Sequence, residues 1–219
     1  MNCTLLHPDV AATLKREHDA AQAMNAARKA QPREEGAPPA HTLDFRTSEA
    51  HRTQYLAIGP RIGRFLYNSA RAIDARTIVE FGTSFGISTL YLAAAAADTG
   101  GQVTGSEFHP SKADKARANL ANAGLSAQAE ILVGDARETL AATAGPIDLL
   151  FLDGAKDLYL EILTMLEDRL RPGALVIADN ADHLPQDEGF LRYVGDGSRF
   201  LTTLIGSRKG LVSQSLVLS

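Results

Sequence analysis

The chain has 219 residues, of which 45% are hydrophobic and 22% charged, and its 26 acidic and 22 basic side chains give a formal net charge of −4. These values are typical of one globular domain that is large enough to bury its own core. A single cysteine, Cys3, excludes an internal disulfide framework and favours a reducing, cytoplasmic compartment. We find no signal peptide, no apolar run long enough to span a membrane and no basic run suited to nucleic-acid phosphates.

The amino-terminal region is predicted to be a helix followed by a linker. Residues 1–30 carry apolar side chains at loosely helical spacing, and residues 31–40 contain three prolines and one glycine, which oppose regular structure. We therefore divide the chain into residues 1–40, a helix with its Pro-rich linker, and residues 41–219, an α/β domain. Within that domain, apolar spacing from Arg46 to Ile73 predicts two helices or one broken helix, interrupted near Gly59-Pro60.

From residue 77 onwards, short apolar runs alternate with segments of helical length. This alternation predicts a doubly wound, Rossmann-like sheet of five parallel strands with helices on both faces, extended by an antiparallel carboxy-terminal hairpin to seven strands. The predicted strands are Thr77–Phe81, Gln102–Phe108, Ala129–Val133, Ile147–Asp153, Ala174–Asp179, Phe200–Ile205 and Leu211–Leu218. The predicted helices between them are Ile87–Ala97, Ser111–Ala123 with Ser111 as N-cap, Ala136–Ala144, and Leu158–Leu170 with a stop at Pro172-Gly173.

A glycine-containing segment, residues 78–88, joins the first strand to the next helix. Gly82 and Gly86 would let the backbone approach a ligand, but their spacing is not the three-glycine pattern of dinucleotide-binding sites. Glu80 is an acid inside an apolar strand, where it must be paired or bind a ligand. A tight strand-to-helix turn without a ligand is the alternative for this segment.

Two acids follow the second and third strands. Glu107, at the end of the second strand, stands where an acid accepts hydrogen bonds from the hydroxyls of a ribose. The third strand ends at Gly134-Asp135, where backbone groups could flank an adenine ring. Together with the glycine segment, they indicate a nucleoside ligand, whereas Glu107 alone could simply cap the helix that follows it.

The ends of the fourth and fifth strands indicate the reaction. Asp153 ends the fourth strand, Lys156 follows in the next loop, and Asp179-Asn180 ends the fifth strand. Because neighbouring parallel strands end at the same edge of a sheet, these side chains should converge there. Two carboxylates and an amide oxygen suit Mg²⁺ better than zinc. The alternatives are a surface ion pair between Asp153 and Lys156 and an ordinary turn at Asp179-Asn180.

These motifs resemble those of class I S-adenosylmethionine (SAM)-dependent methyltransferases, and specifically the metal-dependent O-methyltransferases of the catechol and caffeoyl-coenzyme A type. The resemblance covers residues 45–219, and its specific part is Phe-Leu-Asp153-Gly-Ala-Lys156-Asp-Leu-Tyr159 with Ala-Asp179-Asn180. It implies that Asp153, Asp179 and Asn180 bind the metal. It also implies that Lys156, assisted by Asp153, takes the proton from the acceptor hydroxyl.

The resemblance implies a SAM site along the first three strands. Its residues would be Gly82, Ser84 and Ser88 at the methionine part, Glu107 at the ribose, Asp135 and Ala136 at the adenine, Asp153 at the cofactor's amino group, and Glu80, Thr83, Gly86 and Gly134 around them.

Several residues depart from the family pattern. Phe81 and Phe85 are bulkier than expected beside the glycine segment, and Gly154-Ala155 leaves little side chain beside the metal. These departures concern the substrate pocket. Residues 181–198 occupy the place where the family closes its acceptor site, although an ordinary loop or a dimer contact would have the same composition; the side chains in question are His183, Phe190, Arg192 and Tyr193. His109 is expected at the surface.

With this resemblance, the sequence predicts an enzyme that uses SAM and a divalent cation to methylate a hydroxyl of a small aromatic, catechol-like acceptor. The resemblance also implies a homodimer. Two alternatives remain at this point. One is a nicotinamide-nucleotide-dependent oxidoreductase, against which the glycine spacing and the terminal hairpin both argue. The other is a SAM-binding module without turnover, for which a lysine beside a metal triad would have no purpose.

Overall fold

The structure is a computed structural model that describes residues 3–30, 43–182, 188–207 and 210–218. The predicted linker and His183 lie outside these ranges, and the division of the chain at residue 40 stays a prediction. No helix among the described residues is long and apolar enough to cross a membrane.

The described residues form a sheet of seven strands, which are β1 Thr77–Phe81, β2 Gln102–Glu107, β3 Ala129–Val133, β4 Ile147–Leu152, β5 Leu170–Ala178, β6 Phe200–Gly206 and β7 Leu211–Val217. Their order in the sheet is β3-β2-β1-β4-β5-β7-β6. Strands β1 to β5 are parallel, and β7 runs antiparallel to both β5 and β6. This confirms the predicted fold class and places the topological switch point, where doubly wound sheets bind ligands, between β1 and β4.

Helices cover both faces of the sheet. They are α1 Pro8–Ala30, α2 Glu49–Thr53, α3 Pro60–Ala72, α4 Ile87–Thr99, α5 Pro110–Asn122, α6 Ala136–Thr139, α7 Tyr159–Leu166 and α8 Glu188–Gly195. Alternate strand residues belong to two different cores: Ile78 and Leu149 pack with α1, α3, α4 and α5, whereas Val79 and Leu150 pack with α6, α7 and α8. The cause is the two-residue period of the strand, which directs successive side chains to opposite faces.

Several predicted boundaries are wrong. Helix α7 ends at Leu166, four residues before the predicted end, because residues 167–169 form a separate 3-10 turn. Helix α5 begins at Pro110 with His109 as its N-cap residue, because proline suits the first helical position, where its missing N–H is not needed. Helix α6 ends at Thr139, five residues before the predicted end. Strand β5 begins at Leu170, and Pro172-Gly173 lies inside it, because a shift in the pairing register with β4 absorbs these residues.

The amino-terminal edge of the sheet is fastened by a buried carboxylate on β4. Oδ2 of Asp148 accepts hydrogen bonds from the backbone amides of Arg76 and Thr77, each at 2.7 Å, and Oδ1 accepts one from Nε of Arg171 at 2.5 Å. Burial by itself raises the pKa of Asp148, but these hydrogen bonds outweigh burial and lower it. Asp148 thus joins the start of β1 to β4 and β5.

Replacing this carboxylate should destabilise the fold in a pH-dependent way. Asp148→Ala leaves two backbone amides without their acceptor, and we expect the free energy of unfolding at pH 7 to fall by about 1–3 kcal/mol. An unfolded aspartate has a pKa of about 3.9, and the folded value is lower. The contribution is therefore complete above that pH and lost as the pH falls through the folded pKa. Urea unfolding of both proteins between pH 3 and 7 measures this difference, and a difference that did not narrow in acid would contradict the assignment.

Candidate active site

The carboxyl ends of β1, β4 and β5 are joined by backbone hydrogen bonds that continue beyond the strands. The amide of Asp153 donates to the carbonyl of Phe81 at 2.8 Å, and the amide of Asp179 donates to the carbonyl of Leu152 at 3.0 Å. The segment after β1 and the acids after β4 and β5 are therefore held side by side at the switch point, as their order in the sequence predicts.

The glycine segment approaches β4 so closely that it admits no side chain at Gly82. This residue has a φ of +96°, and a Cβ atom built on it would lie 2.5 Å from the backbone nitrogen of Gly154. Gly86 has a φ of +83°, and its Cβ atom would lie 3.0 Å from Cβ of Ala116 on α5. Both glycines are needed because no other residue combines positive φ with this proximity at low cost. We call residues 82–86 the cofactor loop.

Glu107 connects β2 to the cofactor loop. Its Oε2 atom accepts a hydrogen bond from the amide of Ser84 at 2.7 Å, and its Oε1 atom accepts one from the amide of His109 at 2.8 Å. A carboxylate has about four acceptor positions, so capacity remains for two further donors. Oγ of Ser84 is buried and has no hydrogen-bond partner among the described residues. Hydroxyls of a nucleoside would complete this arrangement.

Glu80 lies beneath the cofactor loop and is fully buried. Its Oε2 atom accepts hydrogen bonds from the hydroxyls of Thr83, at 2.9 Å, and Thr89, at 2.5 Å. Burial raises the pKa of Glu80, although the neighbouring hydroxyls oppose this effect. Glu80 therefore braces the loop against α4, and its contact with a cofactor stays a prediction.

The third strand ends in a short turn beside Glu107. The amide of Gly134 donates to the carbonyl of Glu107 at 3.0 Å. Asp135 caps α6 by accepting from the amide of Arg137 at 3.0 Å, and its side chain pairs with the guanidinium of Arg137 at 2.6 Å. Hydrogen bonding from Arg137 lowers the pKa of Asp135. Ala136, the small residue of the predicted adenine region, is buried beside this pair.

A chain of hydrogen bonds links the ends of β4 and β5. Nζ of Lys156 donates to Oδ1 of Asp153 at 3.0 Å and to the hydroxyl of Tyr159 at 2.5 Å, and that hydroxyl donates to the carbonyl of Asp179 at 2.9 Å. The side chains of Lys156 and Asp153 are only 15% and 10% exposed, which excludes a simple surface ion pair. Sequence reasoning missed the role of Tyr159, although its position three residues after Lys156 was a usable signal.

The end of β5 offers oxygen atoms of the kind that a hard cation prefers. Asn180 adopts a φ of +53°, and its Nδ2 atom donates to Oδ2 of Asp179 at 2.9 Å. Its Oδ1 atom is buried without a hydrogen-bond partner among the described residues. With Asp153 close by, the donor set is two carboxylates and an amide oxygen. Among the described residues, no group of three or more His, Cys, Asp or Glu side chains could hold a metal ion. The set described here includes an amide oxygen and lacks histidine and cysteine, and donors of this kind suit Mg²⁺ better than zinc.

Two of the departures from the family pattern compensate each other. A Cβ atom on Gly154 would lie 2.4 Å from the ring of Phe81, so that this ring fills the space that a side chain at position 154 would take. The ring of Phe81 also packs edge-on against that of Tyr159, with centroids 6.3 Å apart. The large side chain at position 81 therefore requires a glycine at position 154.

Burial around α5 differs from the sequence prediction. His109, expected at the surface, is buried, and its Nε2 atom lies 2.9 Å from the carbonyl oxygen of Phe45. Lys112 is only 2% exposed, with Nζ 5.2 Å from the centroid of the Phe85 ring. Burial lowers the pKa of Lys112, and the nearby Glu107 carboxylate opposes that effect. The sequence carries no signal for this burial.

Within the described part of the segment expected to close the acceptor site, aromatic side chains pack inwards. The ring of Phe190 is buried, with its centroid 5.6 Å from that of Tyr159. The hydroxyl of Tyr193 donates to Oε2 of Glu167 at 2.5 Å, and Arg192 is exposed. Phe190 and Tyr193 therefore hold α8 against α7 and the turn that follows it.

The packing of Phe81 over Gly154 predicts how substitutions at these positions change the free energy of unfolding. Gly154→Ala should lower the free energy of unfolding by about 1–3 kcal/mol, because the added methyl group overlaps the Phe81 ring. In a Phe81→Leu background the same change should cost at least about 1 kcal/mol less. Urea unfolding of the four proteins measures this coupling. Gly195→Ala, where nothing lies within 4 Å of the added atom, is the control. Equal costs in both backgrounds would disprove the compensation.

Comparison with known proteins gives a consistent assignment. A family model described as a methyltransferase domain matches residues 79–181. A catechol O-methyltransferase of Mycobacterium tuberculosis is 37% identical over 146 residues, which are 66% of each chain. A catechol O-methyltransferase of Niastella koreensis is 33% identical over 158 residues, 69% of this chain and 71% of that protein. The chain thus matches about two thirds of the length of these relatives.

Among solved structures, the O-methyltransferase TomG from Streptomyces achromogenes, involved in tomaymycin synthesis and crystallised with SAM, superposes with a TM-score of 0.70 at 27% identity. The match covers 90% of this chain and 96% of TomG. The matched region of the family model contains the cofactor loop, Glu107, Asp153, Lys156, Asp179 and Asn180. The chain therefore belongs to the class I SAM-dependent O-methyltransferases, in the group that includes the catechol O-methyltransferases.

Proposed function

We propose that this enzyme methylates one hydroxyl of a small, catechol-like aromatic acceptor with the help of a divalent cation. The observation that carries the proposal is the buried group of Asp153, Lys156 and Tyr159 beside Asp179, next to the cofactor loop. It combines hard oxygen ligands with a candidate base at one edge of the sheet. The named relatives support the same acceptor class, because two of them are catechol O-methyltransferases.

We infer that SAM binds along the cofactor loop and the ends of β2 and β3. When bound, it supplies an electrophilic methyl group on a sulfonium, so the protein's main task is to position the nucleophile. Two observations support this site: the carboxylate of Glu107 can accept further hydrogen bonds, and the hydroxyl of Ser84 is buried without a hydrogen-bond partner among the described residues. The residues proposed to hold SAM are Glu80, Gly82, Thr83, Ser84, Gly86, Ser88, Glu107, Gly134, Asp135, Ala136 and Asp153.

We infer that Asp153, Asp179 and Asn180 hold the cation, with Mg²⁺ as the natural choice. A divalent cation at this point would orient two adjacent oxygens of the acceptor and favour the loss of a proton from one of them. The donor set and the buried Oδ1 atom of Asn180 support the site.

We assign to Lys156 the role of general base. In a neutral amine at this position, two N–H bonds point to Oδ1 of Asp153 and to the hydroxyl of Tyr159, because both atoms lie within hydrogen-bonding distance of Nζ. The hydrogen of Tyr159 is directed to the carbonyl of Asp179, so it does not compete for the lone pair of Nζ. That lone pair then points to the remaining tetrahedral direction and is available for the acceptor hydroxyl.

We further propose that the enzyme acts in the cytoplasm as a homodimer. The support for the homodimer is that β6, an edge strand of the sheet, carries Leu201 and Leu204 with 62% and 50% of their surface exposed. Exposed apolar side chains on an edge strand are features that proteins usually cover by association.

Methyl transfer should depend on the cation through Asp179. With SAM and catechol as substrates, we expect product formation with Mg²⁺, its loss in excess chelator, and its return when Mg²⁺ is restored. Asp179→Ala should lower kcat by about 100-fold or more and remove the response to Mg²⁺, because a carboxylate ligand is lost. Product is measured by mass spectrometry. Activity that resists chelation and survives Asp179→Ala would contradict the metal assignment.

Lys156 and Tyr159 should affect turnover far more than cofactor binding. Lys156→Met should lower kcat by about 100-fold or more, as expected for a lost general base. Tyr159→Phe keeps the ring against Phe81 and should lower kcat by about five- to twentyfold, because Nζ loses one of its fixed acceptors. The dissociation constant for S-adenosylhomocysteine should change less than threefold in both.

Tyr67→Phe is the matched control for Tyr159→Phe. Tyr67, on α3, is also buried, and its hydroxyl donates a hydrogen bond to Asp98 at 2.5 Å. The kcat of this control should equal that of the wild type. An unchanged kcat in Lys156→Met at neutral pH would remove the base role.

A further inference from the structure

The cofactor loop holds a backbone conformation that its own sequence does not favour. Ser84 has a φ of +51° although it is not glycine. A residue in this left-handed region costs roughly 1 kcal/mol or more and persists only where the surroundings fix it. The amide of Gly86 closes the turn by donating to the carbonyl of Thr83 at 2.9 Å. The carbonyl of Phe85 is held by a residue outside the loop.

Asn119 on α5 supplies that external contact. Its Nδ2 atom donates to the carbonyl of Phe85 at 2.9 Å, and its side chain is fully buried. An amide side chain at such a site can rotate so that nitrogen and oxygen exchange places, and only one of the two orientations supports the loop. Oδ1 of Asn119 accepts a hydrogen bond from Nη2 of Arg16 on α1 at 3.0 Å. Since a guanidinium only donates, Arg16 selects the orientation in which Nδ2 faces Phe85.

Helix α1 is connected to Phe85 by a second route, through Tyr55. The ring of Tyr55 packs against the ring of Phe85, with centroids 4.5 Å apart. The hydroxyl of Tyr55 donates to Oε2 of Glu17 at 2.7 Å. Oε1 of Glu17 accepts from Nε of Arg16 at 3.0 Å, so Glu17 orients Arg16 as well. Glu17 is buried. Burial by itself would raise its pKa, but hydrogen bonds from Tyr55 and Arg16 lower it, so the pair with Arg16 is retained at neutral pH.

We propose that Arg16 and Asn119 are positioning residues for SAM, through which α1 fixes the cofactor loop. Arg16 orients the amide of Asn119, and Asn119 holds the carbonyl of Phe85. Ser84, one residue before, then presents its amide to Glu107 in the geometry that binds the ribose. The amino-terminal helix thereby acts on the cofactor site through Asn119. This inference rests on the proposed SAM site along the cofactor loop.

Calorimetric titration with S-adenosylhomocysteine tests the proposal in a double-mutant cycle. The loss of one orienting hydrogen bond in Arg16→Met should raise the dissociation constant about three- to tenfold, and Asn119→Ala should raise it about tenfold or more. If Arg16 acts through Asn119, adding Arg16→Met to Asn119→Ala should change the constant less than twofold. Lys15→Met is the matched control, because Lys15 precedes Arg16 on α1 and forms an ion pair with Asp19 at the surface.

Two further measurements separate positioning from general stability. Hydrogen exchange of the ligand-free protein should accelerate at the amides of residues 83–86 in Arg16→Met but remain unchanged in β4. Thermal unfolding establishes that the variants are folded at the titration temperature. Arg16 is half-exposed, so Arg16→Met alone decides the matter if Asn119→Ala does not fold.

Three results would each overturn the proposal. The first is a dissociation constant of Arg16→Met within twofold of the wild type, and the second is unchanged hydrogen exchange at residues 83–86. The third is a double variant whose dissociation constant rises by the product of the two single effects. Absence of S-adenosylhomocysteine binding by the wild type would instead reject the cofactor site itself, so the two failures are distinguishable.

Discussion

The active site depends on the contact between the cofactor loop and the loop after β4. A Cβ atom at Gly82 would meet the backbone of Gly154 at 2.5 Å, and a Cβ atom at Gly154 would meet the ring of Phe81 at 2.4 Å. The two loops are thus in direct contact at the switch point of the sheet. Because one loop is proposed to carry the methyl donor and the other the base and a metal ligand, this contact sets the distance between the reacting groups.

Methyl transfer places few chemical demands on the protein, and the buried polar groups are arranged accordingly. Glu80 accepts hydrogen bonds from hydroxyls and braces the loop, Glu107 accepts from backbone amides, and Asp153 accepts from Nζ of Lys156. Each acid therefore has a different set of donors and a different task. Arg16 and Asn119 extend the same principle to α1, since their hydrogen bonds fix a backbone carbonyl. The fold serves mainly to hold groups in position.

The sequence was sufficient to predict the sheet and the convergence of the candidate site. Strands β1 and β3 have the predicted bounds, because short apolar runs in them stop at glycine-containing turns. The positions of Asp153 and Asp179 at neighbouring strand ends follow from strand order alone. The start of β5 could not be predicted, since Pro172-Gly173 signals a break, and only the pairing with β4 shows that the strand continues through it.

Features that depend on contacts between distant segments could not be predicted from the sequence either. The burial of His109 involves Phe45, and the space at Gly154 is taken by Phe81, so neither can be inferred from local spacing. The bond from Tyr159 to the carbonyl of Asp179 depends on how α7 packs on the end of β5. Such pairwise effects arise from tertiary packing, for which a single sequence has no direct signal.

SAM is proposed to bind along the cofactor loop and the ends of β2 and β3, with Glu107 anchoring its ribose. Calorimetric titration of the wild type with S-adenosylhomocysteine and, separately, with NAD tests this proposal most directly, and Glu107→Ala serves as the site variant. The account predicts saturable binding of S-adenosylhomocysteine, no heat from NAD, and binding at least about tenfold weaker in Glu107→Ala. Binding of NAD, no binding of either ligand, or equal affinity of wild type and variant for S-adenosylhomocysteine would contradict it.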